Sequence, residues 1–204
     1  MNSKQKRARP LPSADRRRTI IEAVIPLLLD KGPAVTSREM AEAAGIAEGT
    51  IFRVFPDKHS VIIEAVKYSV DPAEVCDALD RIPGSAPMDR QLEVAATILL
   101  ERSIRVATLV GVLRSVHTAT AAPPARARRF VTASNAAILS AITELFARHE
   151  HRLRVTPSRA AVAFRGFIFA NAHPMVAPEE RTTAREIVDL VLHGIIARDP
   201  RRGA

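Results

Sequence analysis

Residues 36–58 read TSREMAEAAGIAEGTIFRVFPDK, and the punctuation of this stretch sets the organisation of the chain. Thr36 followed three residues later by Glu39 is a capping box, in which each side chain accepts from a backbone N–H that the first helical turn leaves unpaired. Met40, Ala41 and Ala44 then recur at helical spacing and give an inward face. Gly45 can take the left-handed conformation that ends a helix, and Ile46 supplies an apolar plug for the turn. A second short helix is expected over Glu48 to Val54, with Ile51 and Phe55 packing inward. Pro56 cannot continue it, because its ring clashes with the preceding turn. Asp57 is placed to cap the next helix.

Two short helices joined by a glycine-containing turn form a helix-turn-helix, whose second helix fits a DNA major groove. The outward residues of that second helix are Glu48, Gly49, Thr50 and Arg53, which are small or able to hydrogen-bond. Spacing alone equally describes two packed helices of an ordinary all-α domain.

The run T-S-R-E-M-A-x-x-A-G-I-A-x-G-T-I-F-R-x-F-P-D-K resembles the DNA-binding signature of TetR-type transcriptional regulators, in order and without a gap, over roughly residues 16–66. The resemblance implies an all-α fold: an N-terminal three-helix helix-turn-helix DNA-binding domain, followed by a C-terminal helical domain that binds a small ligand and dimerises. It places Thr36 and Ser37 where the family contacts phosphate and Arg38 where some members reach a base. Thr50 and Arg53 fall on the recognition helix. Lys58 matches a lysine that often contacts phosphate at the start of the fourth helix. Phe52 departs from the pattern: it stands where a tyrosine is usual, so a phenolic contact to phosphate is lost.

The bulk properties agree with this outline. The chain has 204 residues, enough for one large domain or two smaller ones. Its 47% hydrophobic and only 4% aromatic content, rich in Ala, Leu, Ile and Val, favours helices over a sheet. The formal net charge of +8 suits an anionic partner. Residues 1–60 hold 11 Lys/Arg and 7 Asp/Glu, a net of +4, and the longer remainder holds 19 and 15, again +4. Positive charge is therefore denser at the N-terminal end. The single cysteine, Cys76, excludes an intrachain disulfide and fits a reducing cytoplasm. Glu22 interrupts the first apolar run and no small-residue cleavage site follows, so no signal peptide is expected. No run of 18 uninterrupted apolar residues occurs, so no membrane span is expected.

The chain then divides into a flexible basic arm (1–13), the helix-turn-helix domain (14–60) and a helical ligand-binding and dimerisation domain (61–204). The arm carries Lys4, Lys6, Arg7 and Arg9 with Pro10 and Pro12, and is read either as a minor-groove arm or as a solvated tail. The first helix is expected from Ala14 to Lys31, with Ile20, Ile21, Val24, Leu27 and Leu28 inward. Pro26 is an anomaly there, since it removes one helical hydrogen bond. Arg16, Arg17 and Arg18 are read as near phosphates or as a solvated run. Val61, Ile62, Ala65 and Val66 continue a fourth helix. A short helix is expected over 71–81 and a loop over 82–89.

Arg90 to His117 is the most regular stretch of the second half, with a break expected near Arg105. Its stripe is Leu92, Ala96, Leu99, Ser103, Val106, Val110, Leu113 and His117. A further helix runs from 125 to about His149, with Phe130, Val131, Ser134, Ile138, Ala141, Ile142 and Leu145 inward. The last two helices are expected to begin near Pro157 and Pro178. Phe164, Phe167 and Ile168 mark the first of them, and Ile187 to Ile196 form an unusually wide apolar arc on the second. The resemblance implies that these two helices pair with those of a second copy, giving a homodimer through residues 157–198.

A buried polar residue on an apolar stripe needs a partner. Ser103, His117, Ser134 and Asn171 are such residues, each explained by a neighbouring carbonyl or by a ligand. The ligand-binding candidates are therefore Leu99, Ser103, Val106, Val110, Leu113, His117, Phe130, Ser134, Ile138, Phe164, Phe167 and Asn171, around a mostly apolar small molecule. His149 and His151 do not share a helix face and are not read as metal ligands. No nucleophile–base pair, metal-spaced cluster or phosphate-cradling loop is present, so neither an enzyme nor a cofactor is expected. The reading is a sequence-specific transcriptional regulator, a repressor released from an inverted-repeat double-stranded DNA operator by its ligand. The alternative is a nonspecific DNA-packaging protein with no effector.

Overall fold

The computed structural model describes residues 13–116, 125–173, 176 and 182–194. Among these, every regular element is helical: α1 (Ser13–Lys31), α2 (Ser37–Ala43), α3 (Glu48–Val54), α4 (Lys58–Val70), α5 (Ala73–Asp80), α6 (Met88–Val116), α7 (Ala125–Ala147), α8 (Pro157–Ala172) and α9 (Ala184–His193). Short 3-10 turns follow α1 and α7. The helices gather into two compact units. The first comprises α1 to α4 as far as Tyr68, together with the end of α6 from Thr108; the second comprises the rest. The boundary expected after residue 60 thus falls inside α4.

In the first unit, Ile20, Ile21, Val24, Ile25 and Leu28 of α1 bury against Met40, Ala41, Ile51, Phe55, Val61, Ile62 and Ala65. Leu109 and Val112 of α6 join them. Helix α1 runs on through Pro26, which lies on its exposed side. In the second unit, Leu92, Ala95, Ala96 and Leu99 of α6 pack with Ile138, Ile142, Leu145 and Phe146 of α7, Ala161, Phe164 and Ile168 of α8, and Ile187 and Val188 of α9. Phe146 and Phe164 meet edge to face with centroids 5.7 Å apart.

Several expectations are corrected. Helix α6 runs unbroken through Arg105 and starts at Met88, inside the expected loop. Its buried face also changes along its length. Ser103, Val106, Val110 and Leu113, which continue the first stripe, are only half-buried, whereas Leu109 and Val112 are buried. Phe130 and Val131, expected inward, are exposed. Helix α7 ends at Ala147, and α9 begins at Ala184 rather than near Pro178. A capping box starts α9, with Thr183 accepting from the Glu186 N–H.

By length and composition α7 is long and apolar enough to cross a membrane. It nevertheless buries Ser134, Ile138, Ile142, Leu145 and Phe146 within the second unit, as a core helix does.

Candidate nucleic-acid interface and effector region

The capping box forms at the start of α2. The Thr36 hydroxyl accepts from the Glu39 N–H at 3.2 Å, and the Glu39 carboxylate accepts from the Thr36 N–H at 2.8 Å. Lys31 Nζ donates to the same carboxylate at 2.7 Å. These contacts, the lysine first, hold the Glu39 carboxyl down to about 2. At the other end of α2, Gly45 takes φ +64°. The Ile46 N–H then donates to the Ala41 carbonyl at 3.0 Å and the Gly45 N–H to the Glu42 carbonyl at 3.1 Å, the pairing of a Schellman motif. This closure fixes the turn from which α3 emerges.

Helix α3 buries Ile51 and turns Glu48, Gly49, Phe52 and Arg53 to solvent, with Thr50 half-buried beside them. Phe52, at 47% exposure, is a large apolar ring on an otherwise polar face. Ser37 is half-buried and Arg38 exposed at the start of α2. Arg38 pairs with Glu42 one turn on, at 2.9 Å, in a pair open enough to exchange for another partner at little cost. Lys58 donates to the Pro33 carbonyl at 2.7 Å, across to the segment that leads into Thr36. One bond leaves its ammonium two further donors.

Arg17 has a role that sequence reasoning missed. Its Nη1 donates to the Val54 carbonyl at 2.7 Å, closing the end of α3, and its guanidinium lies 4.6 Å from the centroid of the Phe55 ring. The arginine thus clamps the exposed helix to α1 and gains cation–π attraction as it does so. Arg18 pairs with Glu22, whose carboxylate also accepts from the Tyr68 hydroxyl at 2.6 Å. Asp57 caps α4 as expected, accepting from the Ser60 N–H at 2.7 Å.

The candidate ligand residues do not share one environment. Leu99, Ile138 and Phe164 are buried in the second unit's core. Ser134 is buried with them, and its hydroxyl donates to the Val70 carbonyl at 2.6 Å. Ser103 and Val106 are half-buried in the second unit, whereas Val110 and Leu113 belong to the first. Phe130 and Phe167 are exposed. Asn171 donates to the Phe167 carbonyl one turn back, the neighbouring-carbonyl account of a polar residue on a helix. His117, with Ile195, Ile196 and residues 1–12 of the N-terminal arm, lies outside the described residues, and Ser13, the arm's last expected residue, opens α1.

The half-buried arginines of the second unit were not anticipated. Arg102 of α6 is half-buried; its Nη2 donates to the Val70 carbonyl at 2.7 Å and to Ser134 Oγ at 3.3 Å. Burial, then Arg105, then Arg165, press its pKa below the ordinary arginine range, although a guanidinium stays charged at neutral pH. Arg165 of α8 donates to the Asn135 backbone carbonyl at 2.8 Å and to its side-chain oxygen at 2.5 Å. The available signal was the charged pair Arg102 and Arg105, three apart and continuing the face that follows buried Leu99. Among the described residues no cluster of His, Cys, Asp or Glu gathers to hold a metal.

Residues 20–65 match the family of bacterial regulatory proteins described as the tetR family. No curated protein matches the chain. Solved structures do. A regulator of the TetR/AcrR family from Thermobifida fusca YX-ER1 is 21% identical, covers 90% of this chain and 100% of its own, and superposes with a TM-score of 0.61. LfrR of Mycobacterium smegmatis, in complex with proflavine, is 21% identical over 90% of this chain and 99% of its own, with a TM-score of 0.55. AibR in complex with isovaleryl coenzyme A and operator DNA is 21% identical over 87% of this chain and 96% of its own, with a TM-score of 0.50. At such identities the likeness carries the fold.

Proposed function

We propose that this chain, whose residues 20–65 match the tetR family of bacterial regulatory proteins, is a sequence-specific transcriptional repressor acting as a homodimer. It would leave its operator when a small, mostly apolar ligand binds the second unit. The observation that carries the reading is the face of α3. Ile51 anchors the helix while Glu48, Gly49 and Arg53 stand outward beside half-buried Thr50, and both ends of the preceding helix α2 are closed by specific caps. A recognition helix must be held rigidly and present hydrogen-bonding groups without a shielding neighbour. Thr36, Ser37, Arg38, Phe52 and Lys58 flank that face in the proposal, with Lys58 as a phosphate anchor. Two solved relatives of this fold are described with small molecules, and one of them with operator DNA. Nothing in the reading calls for catalysis, and its setting would be the cytoplasm.

Ligand release requires the ligand to favour a conformation in which the two recognition helices no longer match the operator. The test is binding of the full chain to the DNA upstream of its own coding region, with random competitor DNA present. Retention against excess competitor supports a sequence-specific regulator. Equal loss on all sequences would make it a packaging protein.

A further inference from the structure

We infer that Arg102, Arg105 and Arg165 form a receptor for an oxyanion, the carboxylate or phosphate head of an otherwise apolar effector. The inference rests on the ligand-responsive reading above and names the chemical class of that ligand.

The three guanidiniums come from α6 and α8 within the second unit: Arg102 reaches Ser134 and Arg165 reaches Asn135, the next residue of α7, while Arg105 lies one turn of α6 beyond Arg102. Like charges gathered under partial burial repel one another and lose hydration. The protein's own acids compensate them poorly. Among the described residues the one ion pair on these arginines joins Arg105 to Glu74 at 4.0 Å, and the Glu74 side chain is 74% exposed, so solvent screens it; Asp71 adds an attraction to Arg102 that ranks below the repulsion from Arg105 and Arg165. The Nε groups of Arg102 and of Arg105 are buried and have no hydrogen-bond acceptor. A buried charged donor without an acceptor is costly, and native interiors rarely keep one.

A purely architectural role explains part of this arrangement. Arg102 closes the end of α4 through the Val70 carbonyl, a position that favours a cation. That bond uses Nη2 and leaves Nε unpaired. Arg105 has no comparable anchor. An oxyanion set between the two would accept from both Nε groups, in the charge-assisted bonds for which guanidinium is shaped.

The surroundings fit an apolar body on that head. Leu99 lies one turn before Arg102, Ile138 one turn after Ser134, and Ile168 one turn after Arg165, all in one core. Phe130 and Val131 precede Ser134 by one turn of α7 and leave apolar surface uncovered there. The site therefore combines an apolar wall with a few placed polar groups, as ligand sites do.

The experiment is calorimetric titration of the full chain with octanoate, octyl phosphate, octanol and octylamine, below the concentrations at which they aggregate. The inference expects one of the two anions to bind about ten-fold more tightly than octanol, and octylamine to bind most weakly. The better anion tells a carboxylate from a phosphate ligand. Arg105→Gln and Arg165→Gln should each shrink the anion-to-octanol ratio several-fold, and Arg105→Lys should restore part of it. Circular dichroism melting separates this from misfolding, and if one variant unfolds the other carries the test. Octanol binding as tightly as both anions, failure of all four probes, or a ratio unmoved in folded variants overturns the inference. Wild-type binding to operator DNA is measured alongside. Its presence with no anion preference sinks only this inference, whereas its absence sinks the regulator reading beneath it.

Discussion

At the scale of single residues, the first unit separates groups that build the α2–α3 turn from groups that face outward. Arg53 makes no structural hydrogen bond comparable to that of Arg17 or Lys58 and stands exposed on α3. Arg53→Ala should cost about 1–3 kcal/mol on the cognate site and relax preference at one base pair. Lys58→Ala should weaken all sequences about equally and lower the salt slope by about one. Titrations of each variant against operator and scrambled DNA at several salt concentrations check both outcomes. An unchanged base preference in Arg53→Ala would show that the reading face lies elsewhere.

Glu39 makes a pH-dependent prediction. Its carboxyl is held at about 2, against an ordinary value of 4.5, by Lys31 and by the Thr36 N–H and hydroxyl. A depressed carboxyl stabilises the fold fully above its unfolded value and ceases to do so as pH falls through the folded one. The loss therefore spans the window from about 4.5 down to about 2. Melting temperatures of wild type and Glu39→Gln should differ near neutral pH and draw together across that window. Parallel curves would mean that the carboxylate charge adds nothing to the cap.

At the scale of elements, α8 and α7 define what the second unit leaves uncovered. Val162, Gly166 and Phe169 recur at spacings of four and three on α8 and are all exposed, with Val162 at 58% and Phe169 at 61%. Such an apolar ridge with a glycine at its centre suits close packing of a second copy. On α9, by contrast, Val191 and Leu192 pack against the unit's own core, and the outward residues Arg185, Glu186, Asp189 and His193 are polar. The dimer proposed through residues 157–198 would therefore rest chiefly on α8. Phe169→Glu should split it without unfolding the chain, because the ring is not core, and sedimentation at micromolar concentration reads the result. A Phe169→Glu protein that stays dimeric would place the interface on another face.

Ser134 joins α7 to the last turn of α4. Ser134→Ala removes its bond to the Val70 carbonyl and should cost about 1 kcal/mol in denaturant unfolding. The cost stays modest because Arg102 still serves the same carbonyl. A loss of several kcal/mol would instead mean that the hydroxyl also holds Arg102 in place.

At the scale of the whole molecule, the local signals decided where the helices and turns of the first unit lie. The capping box, the left-handed Gly45 and the stop at Pro56 act between residues a few positions apart, so they could be read before any fold was known. The outward set on α3 followed from the same short-range geometry once Ile51 was taken as core. Continuity and burial in α6 were not legible in this way. The α6 residues up to Leu99 belong to one core and Leu109 and Val112 to another, and a single apolar period does not tell which residues each core takes. The sequence alone therefore determined an all-helical chain with a capped helix-turn-helix at its N-terminal end. Only the tertiary structure decided that Arg102 and Arg165 reach neighbouring residues of α7, that Arg17 closes α3, and that the apolar ridge of α8 stays open. Each of these depends on residues more than 30 positions apart or on different helices, whose meeting is set by packing rather than by any local preference.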